Sequence, residues 1–597
     1  MYMNIKNMDI MNYLLKNRFI NQRILAESTG YSLGGINQSL KVLFKNGYVD
    51  ENMSLTEKAF FEFRLKSPKN AIILAAGYGM RMIPINLETP KGLLKVRGER
   101  LIERTIKQLH EVGITDIYIV VGYLKEKYEY LIDKYGVNLI VNSDYAFKNN
   151  LHSLKQVLKY LSNSYIIPCD IWCRDNPYRS HELYSWYMVS NLLDIESIIR
   201  VNRKMELVPS TRKLTGNKMI GISYLEEAQA AIVRQRVQEL CISPRNDKLF
   251  WEEALFSHDK TTVMAKIVLS KDVVEINTYE QLRNFDRDSD QLQHQALKII
   301  SQVLDVKIGE ITNISVLKKG MTNRSFLFNC KNERYIMCIP GEGTERLIDR
   351  RREANTYKAI ATEKISDNII YIDPRAGYKI TKFFENARTC NPFNWHDVAR
   401  CMKKLREFHE RKIYVEHEFN LFKQIEFYEL LRGDISSIYD DYEETKTNVL
   451  SLKSYIDAHI TEKVLAHIDA VPDNFLFIQN DTEVRLIDWE YAGMQDPHVD
   501  IAMFAVYSLY DKAQVDHLIE TYFIEGCTHE NRVTEGCSDE TRIKIYCYIA
   551  ACGFLWSNWC EYKRLLGIEM GEYSLRQYRF AKEYYRIVRN ELLRVEE

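Results

Sequence analysis

The sequence predicts a multidomain protein with a small helical head, a central α/β domain built on a doubly wound sheet, and a carboxyl-terminal α+β domain. The chain has 597 residues, more than the roughly 250–300 at which a single hydrophobic core stops growing. Between residues 71 and 169, apolar runs of strand length alternate with helical patterns, as in a mostly parallel sheet covered on both faces. The predicted domains span residues 1–66, 68–288 and 292–597, with the charged stretch 286–290 before the last.

Composition and charge are ordinary for a globular protein: 46% of residues are hydrophobic, 27% are charged, and the net charge is −1. Near-neutrality excludes a global attraction to nucleic acid or to an anionic membrane. The 12 cysteines have no paired metal spacing, which favours reduced thiols over a disulfide framework. No basic-then-apolar leader opens the sequence, and no apolar run reaches the ~18–20 residues of a membrane span. We therefore expect a cytoplasmic protein with no membrane partner.

The head, residues 1–66, carries three short amphipathic patterns, the last over 32–45, before a turn at Gly47. This order resembles a winged helix-turn-helix. The third helix would read a DNA groove, yet Lys41 and Lys45 are its only basic residues, which disfavours strong DNA binding. The preferred interpretation is a docking or dimerisation module that would make the protein a homo-oligomer, with DNA binding as the alternative. No candidate ligand lies in the head, so it is expected to be dispensable for chemistry.

The central domain is organised around residues 71–95, AIILAAGYGMRMIPINLETPKGLLK. The apolar run that ends at Ala76 has the length of a buried parallel strand. Gly77 and Gly79 then let backbone N–H groups approach a ligand that a Cβ would block. A tight strand-to-loop turn would use the same glycine pair.

The whole string resembles the signature of the nucleoside-triphosphate transferase family, the sugar-nucleotide pyrophosphorylases and cytidylyltransferases, written roughly L-A-A-G-x-G-x-R-[LM]-x-P…P-K-x-L-L. Nucleotidyl transfer is an in-line attack of a phosphate oxygen on an α-phosphorus, so the site must supply cations to two anions. The resemblance implies that Ala76, Gly77 and Gly79 hold the nucleotide, and that Arg81 and Lys91 bind its phosphates and act in catalysis.

Candidate metal ligands of this domain follow strands. Asp170 comes directly after the apolar run 165–169, at the edge of such a sheet where ligands lie. A turn residue or helix cap is the alternative, but the resemblance implies a Mg²⁺-binding Asp at this place. The family's second Asp is replaced by Asn277, and Glu275 lies on the same strand face. Either could serve as the second ligand.

Short motifs, Val121 to Lys125 and Trp251-Glu252 among them, resemble the bacterial phosphocholine cytidylyltransferases, which implies CTP and phosphocholine as substrates. A quaternary ammonium is bound by aromatic faces with a carboxylate. Candidate walls are Trp172, Trp186 and Trp251, of which Trp251 is carried into the predicted site. Ordinary core packing is the alternative for each.

In the last domain, the run HIDAVPDN at 467–474 is followed by a β-pattern that ends at Asp488. This H-x-D-x-x-x-x-N…I-D arrangement resembles the choline and aminoglycoside kinases, relatives of the protein kinases. The resemblance implies that Asp469 accepts the proton of the substrate hydroxyl. It also implies that Asn474 and Asp488 hold the Mg²⁺ ions bridging the phosphates of ATP.

The other nucleotide-binding candidates of this domain are Gly320, Thr322 and Asn323, in a phosphate-covering loop, and Glu353, which begins a helix. In the family a Lys or Arg on a nearby strand pairs with that glutamate, and here the position reads Cys338. Three possibilities stay open. Arg334, Arg346 or another base substitutes, the affinity for ATP is low, or the kinase is impaired.

Further along, residues 488–493 and the run WSNW at 556–559 resemble bacterial choline kinases. Trp556 and Trp559 share a helix face and can form two walls of an ammonium cage, with a buried aromatic stripe as the alternative. The choline-binding candidates are Glu490, Asp500, Trp556, Trp559 and Tyr562.

Two anion-transfer domains in one chain predict consecutive steps. A kinase would make phosphocholine from choline and ATP, and a transferase would attach CMP from CTP, giving CDP-choline and pyrophosphate. In bacteria resembling this pattern, that product feeds phosphocholine decoration of surface glycans. The enzymatic alternative is another amino alcohol or a phosphonate, such as ethanolamine or aminoethylphosphonate. The alternative from another class is a ligand-sensing, DNA-binding regulator with weak catalysis.

Overall fold

A computed structural model of the chain describes residues 4–210, 215–256, 263–317, 323–341, 347–525, 537–568 and 570–596. The chain divides into two compact units. One comprises Met1–Lys298 with Ile314–Val316, and the other comprises Ile299–Asn313 with Leu317–Glu597. Among the described residues, no helix combines the length and the apolar character needed to cross a membrane.

The head is a winged helix-turn-helix, as predicted. Its helices are α1 (Ile5–Lys16), α2 (Gln22–Thr29), α3 (Leu33–Lys45) and α4 (Glu57–Lys66). The side chains of Asn4, Asn21 and Ser32 cap the first three by accepting backbone N–H groups, which stabilises such short helices. A bridge between Val49 and Leu55 forms the wing after α3.

The head shares its hydrophobic core with the central domain. Leu183, 1% exposed, packs among the buried residues of the head. Its carbonyl accepts a hydrogen bond from Lys66 Nζ at 3.1 Å, and the hydroxyl of Tyr184 donates to Asp9 Oδ1 at 2.7 Å. The head is therefore part of the same compact unit as the central domain. The domain boundary at residues 66–68 stays a prediction.

The central domain contains helices that alternate with strands along the chain. Its strands are β1 (Asn70–Ala75), β2 (Lys95–Val96), β3 (Glu99–Arg100), β4 (Ile117–Val121), β5 (Asn138–Val141), β6 (Ser164–Pro168), β7 (Ile171–Cys173), β8 (Trp186–Asp194), β9 (Ile199–Val201), β10 (Leu207–Pro209), β11 (Gly216–Leu225), β12 (Met264–Val268) and β13 (Val273–Glu275). Its helices are α5 (Leu101–Glu111), α6 (Tyr130–Tyr135), α7 (Asn150–Lys155), α8 (Glu227–Leu240) and α9 (Tyr279–Phe285).

Seven of these strands form one sheet in the order β12-β8-β11-β6-β1-β4-β5. Pairs are parallel except those of β11, which runs antiparallel to both neighbours. Apolar clusters cover both faces of the sheet. This is the predicted doubly wound arrangement, and strand β1 at its centre ends at the glycine-bearing loop.

The second unit is α+β, as predicted. The strands after residue 292 are β14 (Thr312–Val316), β15 (Asn323–Cys330), β16 (Glu333–Pro340), β17 (Ile369–Ile372), β18 (Lys379–Lys382), β19 (Arg388–Thr389), β20 (Val464–Ala466), β21 (Phe475–Ile478), β22 (Glu483–Leu486) and β23 (Gly493–Gln495). Residues 314–316 of β14, and residues 295–298 at the start of the helix named α10 below, are counted in the first unit. The helices, with α10 before the first strand, are α10 (Gln295–Leu304), α11 (Arg350–Ile360), α12 (Trp395–His409), α13 (Leu421–Arg432), α14 (Tyr442–Ser451), α15 (Lys453–His459), α16 (His498–Tyr507), α17 (Lys512–Glu525), α18 (Asp539–Leu565) and α19 (Glu572–Glu596). Strands β15, β16, β18 and β17 pair antiparallel in that order. The helices after β18 bury one large apolar core.

If Leu183 anchors the head, Leu183→Ala should destabilise the first unit by about 2–5 kcal/mol, the usual cost of truncating a fully buried leucine. Leu192→Ala is the matched control, because Leu192 is 49% exposed and its truncation should change little. Differential scanning calorimetry of the full chain measures both. Equal midpoints for the two variants would contradict the shared core.

Candidate active sites

In the central domain, one ammonium group joins the two candidate metal ligands. Lys91 Nζ lies 3.0 Å from Asp170 Oδ2 and 2.5 Å from Asn277 Oδ1. Asp170 follows β6, and Asn277 follows β13, which pairs with β7 so that Glu275 lies opposite Ile171. The topology thus brings together at one edge of the sheet three residues that are distant in sequence.

The glycine-bearing loop makes room for that lysine. Gly79 has φ +62°, and a Cβ there would lie 2.7 Å from Lys91 Cγ, so both backbone and packing require glycine. A Cβ on Gly77 would meet nothing within 4 Å, so packing does not explain this glycine. Arg81 is exposed and has no ion pair within the described ranges. Nucleotide binding by Ala76, Gly77 and Arg81 stays a prediction.

Three tyrosines that sequence reasoning missed cluster beside this loop. The ring centre of Tyr78 lies 4.6 Å from that of Tyr123 and 5.2 Å from that of Tyr145. They follow β1, β4 and β5, three neighbours in the sheet, whereas Asp170 follows β6 on the other side of β1. The sequence does contain a signal for these tyrosines, since each one comes within a few residues of the end of an apolar strand.

On the side of β6, the structure buries a carboxylate that lacks a full set of partners. Glu252 is 4% exposed; Tyr187 donates to its Oε1 at 2.9 Å, and its Oε2 has no hydrogen bond among the described residues. Burial raises the pKa of Glu252 to about 7, and the charge of Glu275 acts in the same direction. Lys218 Nζ lies 3.4 Å from Glu275. Trp251 is 1% exposed, so it lies in the core beside this acidic pair.

The other two candidate tryptophans already face cations of the chain itself. The guanidinium carbon of Arg97 lies 4.9 Å, and that of Arg104 5.3 Å, from the ring centre of Trp172. Lys266 Nζ lies 4.2 Å from that of Trp186. These contacts occupy part of each ring's surroundings, and substrate binding by Trp172 and Trp186 stays a prediction.

In the second unit, the proposed catalytic base lies beside one candidate metal ligand. Asn474 Nδ2 donates to Asp469 Oδ2 at 3.0 Å. Burial, and next the nearby charge of Asp488, raise the pKa of Asp469 to about 7. Ile468 and Asp488 have φ of +69° and +67°. Such backbone is rare outside glycine and occurs where the surrounding structure enforces it.

At Ile468, the surrounding structure that enforces this backbone includes Asp500. It is fully buried, and its carboxylate accepts the backbone N–H groups of His467 at 2.8 Å and of Ile468 at 2.7 Å. His409 Nε2 lies 2.9 Å from the same carboxylate. Because both oxygens are engaged inside the protein, Asp500 cannot contact choline. The structure corrects its role to positioning the catalytic loop.

Glu353 has two cationic partners, neither of them on the strand where the family has one. Arg350 Nη1 lies 2.9 Å from Glu353 Oε2 and 3.5 Å from Glu490 Oε2. Lys379 Nζ lies 3.1 Å from Glu353 Oε1 and 3.9 Å from Asp488 Oδ1. Sequence reasoning missed Lys379, which belongs to a different strand from Cys338.

Part of the predicted nucleotide site falls outside the described ranges. Gly320 and Thr322 lie there, as does Arg346, and of Asn323 only the backbone, at the start of β15, is described. Their roles stay predictions.

Aromatic side chains of α18 pack beside Tyr491, whose pKa is raised by burial and further by the charges of Glu490 and Asp469. The rings of Trp556 and Trp559 are 5.6 Å apart and nearly perpendicular, and Tyr491 lies edge-on to Trp556 at 6.2 Å. Lys563 Nζ lies 5.3 Å from the ring centre of Trp559. Tyr562 is 8% exposed. Trp556 is therefore the better placed of the two tryptophans to face a ligand.

Four tyrosines add to this aromatic environment and were missed from the sequence. Burial raises the pKa of each of them, and the negative charge of Asp469 adds to the shift. They are Tyr428, Tyr491, Tyr507 and Tyr573. Tyr491 lies within the motif 488–493, whereas Tyr428, Tyr507 and Tyr573 come from three separate helices, so no single local pattern identifies the group.

The donor sets of both sites fit Mg²⁺. This ion is held by one or two carboxylates together with substrate phosphates. Asp170 with the amide oxygen of Asn277, and Asp488 with Asn474 beside Asp469, provide oxygens of this kind. Within the described residues, no group of three or more His, Cys, Asp or Glu side chains gathers into a metal cluster.

Comparison with known proteins finds family models that match parts of the chain. Family models match over three segments: winged helix-turn-helix DNA-binding at residues 3–50, MobA-like NTP transferase domain at 71–178, and choline/ethanolamine kinase at 314–522. Each model covers less than half of the chain.

Curated relatives match the two halves separately. The choline-phosphate cytidylyltransferase of Streptococcus pneumoniae is 33% identical over 36% of this chain and 96% of the relative. Protein LicA of Haemophilus influenzae is 26% identical over 43% of this chain and 96% of the relative. The 2-aminoethylphosphonate cytidylyltransferase of Lancefieldella rimae is 29% identical over 36% of this chain and 92% of the relative.

The role of Asp500 can be tested by stability. Asp500→Ala leaves two buried N–H groups and a buried histidine without their acceptor, so the second unit should lose about 3–5 kcal/mol. Asp434→Ala, at an exposed position, is the control and should have little effect. Calorimetry of the full chain separates the outcomes, and an unchanged midpoint for Asp500→Ala would refute the positioning role.

Proposed function

The chain belongs to the family of the choline-phosphate cytidylyltransferases, and on that premise we propose that it is a bifunctional transferase. It phosphorylates choline with ATP and then transfers CMP from CTP to phosphocholine, giving CDP-choline and pyrophosphate. The observation that supports this proposal is the presence in one chain of two polar clusters whose side chains suit metal and phosphate binding. Lys91 joins Asp170 and Asn277 in the first, and Asp469 lies beside Asn474 in the second.

In the kinase step, Asp469 accepts the proton of the choline hydroxyl as the oxygen attacks the γ-phosphorus and the bond to ADP breaks. Asn474 and Asp488 would hold Mg²⁺, and the ion would supply positive charge to the phosphates. The cationic head of choline lies among the aromatic rings around Trp556, with the Glu490 carboxylate nearby. A desolvated contact of this kind is worth about 2 kcal/mol.

In the transferase step, a phosphate oxygen of phosphocholine attacks the α-phosphorus of CTP and pyrophosphate leaves. Lys91 and Arg81 oppose the charge that gathers on the phosphates. The cytosine base extends toward Tyr78 and its two neighbours, across the ends of β1, β4 and β5. The acceptor approaches from the side of β6, where Glu252 and Glu275 offer negative charge to a quaternary ammonium.

The kinase half favours an alcohol over a phosphonate as the first substrate. A phosphonate such as 2-aminoethylphosphonate already carries its phosphorus group, so a chain acting on it needs no kinase step. The similarity to a 2-aminoethylphosphonate cytidylyltransferase keeps that acceptor as the second candidate, for the transferase domain alone. Phosphorus NMR of reactions with choline, ethanolamine and 2-aminoethylphosphonate distinguishes the three.

We assign the head to docking or dimerisation rather than to DNA binding. Its third helix exposes Leu33, Val42 and Phe44, at 46%, 38% and 47%, and only two lysines. A regulator with weak catalysis would not need Asp170, Asp469, Asn474 and Asp488, all of which are present. A homo-oligomeric state, a cytoplasmic location and a link to surface glycans stay predictions.

Asp469→Asn keeps the size of the side chain but cannot accept the proton, so conversion of choline to CDP-choline should fall by roughly 10²–10⁴-fold. Conversion of supplied phosphocholine with CTP should be unchanged, because it bypasses the kinase. Coupled assays from the two starting compounds measure both rates. Equal losses from both would show damage to the fold, and no loss from choline would remove the kinase assignment.

The pH dependence of the kinase step provides a separate test of the same residue. Asp469 must be deprotonated to act, and its pKa in the protein is about 7. For choline, kcat/KM, which reports the free enzyme, should therefore rise about tenfold per pH unit below pH 7 and level off above it. A profile that stays flat between pH 5.5 and 8 would contradict this base.

Asp170→Ala removes a proposed metal ligand and should lower CMP transfer to phosphocholine by roughly 10²–10³-fold, the cost of losing one stabilising group at the reacting charge. ATP consumption with choline should stay at the wild-type rate. Asp175→Ala, exposed in the following loop, is the matched control. Near wild-type transfer by Asp170→Ala would overturn the metal assignment.

A further inference from the structure

Strand pairing places a lysine directly opposite the position where the family has its base. Strand β16 runs antiparallel to β18, and in their register Cys338 pairs with Lys379. Directly opposed residues of such a pair point to the same face of the sheet, with Cβ atoms about 4.5–5.5 Å apart. The Lys379 side chain therefore starts beside Cys338 and projects toward the same side.

We propose that Lys379 is the cation that binds the phosphates of ATP, in place of the base absent at Cys338. The inference rests on the proposed kinase function and names a residue that carries out its nucleotide-binding step. The catalytic pair of a lysine and a helix glutamate is then conserved in space, although its lysine comes from the neighbouring strand.

The contacts of Lys379 are those that this role requires. Its ammonium donates to Glu353 Oε1 and to the Tyr357 hydroxyl, each at 3.1 Å. It lies 3.9 Å from Asp488 Oδ1, between the helix glutamate and the proposed metal ligand.

The short side chain of Cys338 leaves room for the Lys379 ammonium beside Glu353. The thiol contacts the Ser325 hydroxyl at 3.3 Å, and burial raises the pKa of Cys338, so it stays neutral. A longer basic side chain at this position would compete with Lys379 for Glu353. The short residue on one strand and the long cation on the next are complementary.

Other described bases are engaged elsewhere. Arg334 is four residues from Cys338 on the strand, roughly 13 Å away. It pairs with Glu385 at 2.9 Å and lies over the ring of Phe383. Arg350 bridges Glu353 and Glu490, which directs it toward the choline side of the site.

The test compares nucleotides that differ only in phosphate. Lys379→Met should weaken ADP binding roughly 10- to 100-fold, the loss of one charge-assisted hydrogen bond, and leave adenosine binding unchanged. Lys382→Met is the matched control, since that lysine on the same strand pairs with Glu333 and is 42% exposed. Isothermal titration calorimetry on the full chain measures both ligands. In the Lys379→Met variant, KM for ATP should rise while KM for choline stays constant.

A double variant that exchanges the two side chains tests whether a loss of ADP affinity reflects the missing charge or a misfolded protein. Combining Cys338→Lys with Lys379→Cys moves the ammonium to the family's position and should recover most of the lost ADP affinity. Unchanged ADP binding by Lys379→Met would overturn the proposal. Equal weakening of ADP and adenosine would also overturn it, since the lysine would then support only the pocket. If the wild type consumes no ATP with choline, the kinase function fails, yet the comparison of ADP with adenosine still decides the role of Lys379.

Discussion

A lysine ammonium held between side-chain oxygens is the interaction on which both candidate sites depend. Lys91 joins Asp170 and Asn277, and Lys379 lies between Glu353 and Asp488. Oxygens gathered to bind a metal repel one another when they are partly buried, so a cation of the chain stabilises the arrangement. The same ammonium is then in place to face the phosphates of a nucleotide.

The partners of buried charged groups also distinguish side chains that are engaged within the protein from those that could contact a ligand. The Asp500 carboxylate is used entirely by backbone N–H groups and a histidine, and it holds the loop that carries Asp469. Trp172 and Trp186 face arginine and lysine side chains of the protein. Glu252, with one oxygen lacking a hydrogen bond, is the group for which a cationic ligand would relieve the cost of burial.

The head is joined to the transferase fold through the segment between β7 and β8. Strand β7 directly follows Asp170, and Leu183 and Tyr184, before β8, contact the head. The head therefore packs against a segment that follows a candidate metal ligand closely in sequence. Its removal would expose the apolar surface around Leu183.

Local pattern in the sequence was enough to determine the fold classes and the residues that follow strands. The run before Gly77, the position of Asp170 and the spacing from His467 to Asp488 all depend on neighbours along the chain. For that reason they were predicted, and the winged helix, the doubly wound sheet and the α+β unit were confirmed. The placement of Asn277 beside Asp170 was an expectation that the geometry supports.

Only the tertiary structure decided what depends on register and burial. Lys379 lies opposite Cys338 because of how two strands pair, and the sequence does not encode that register in any local pattern. Sequence reasoning places Asp500 among the substrate ligands, because its burial, and the backbone groups that it binds, arise only when α16 packs against the loop that carries Asp469. Pairing and burial join residues that are distant along the chain, which is why a single sequence determined the elements and their candidate residues but not their partners.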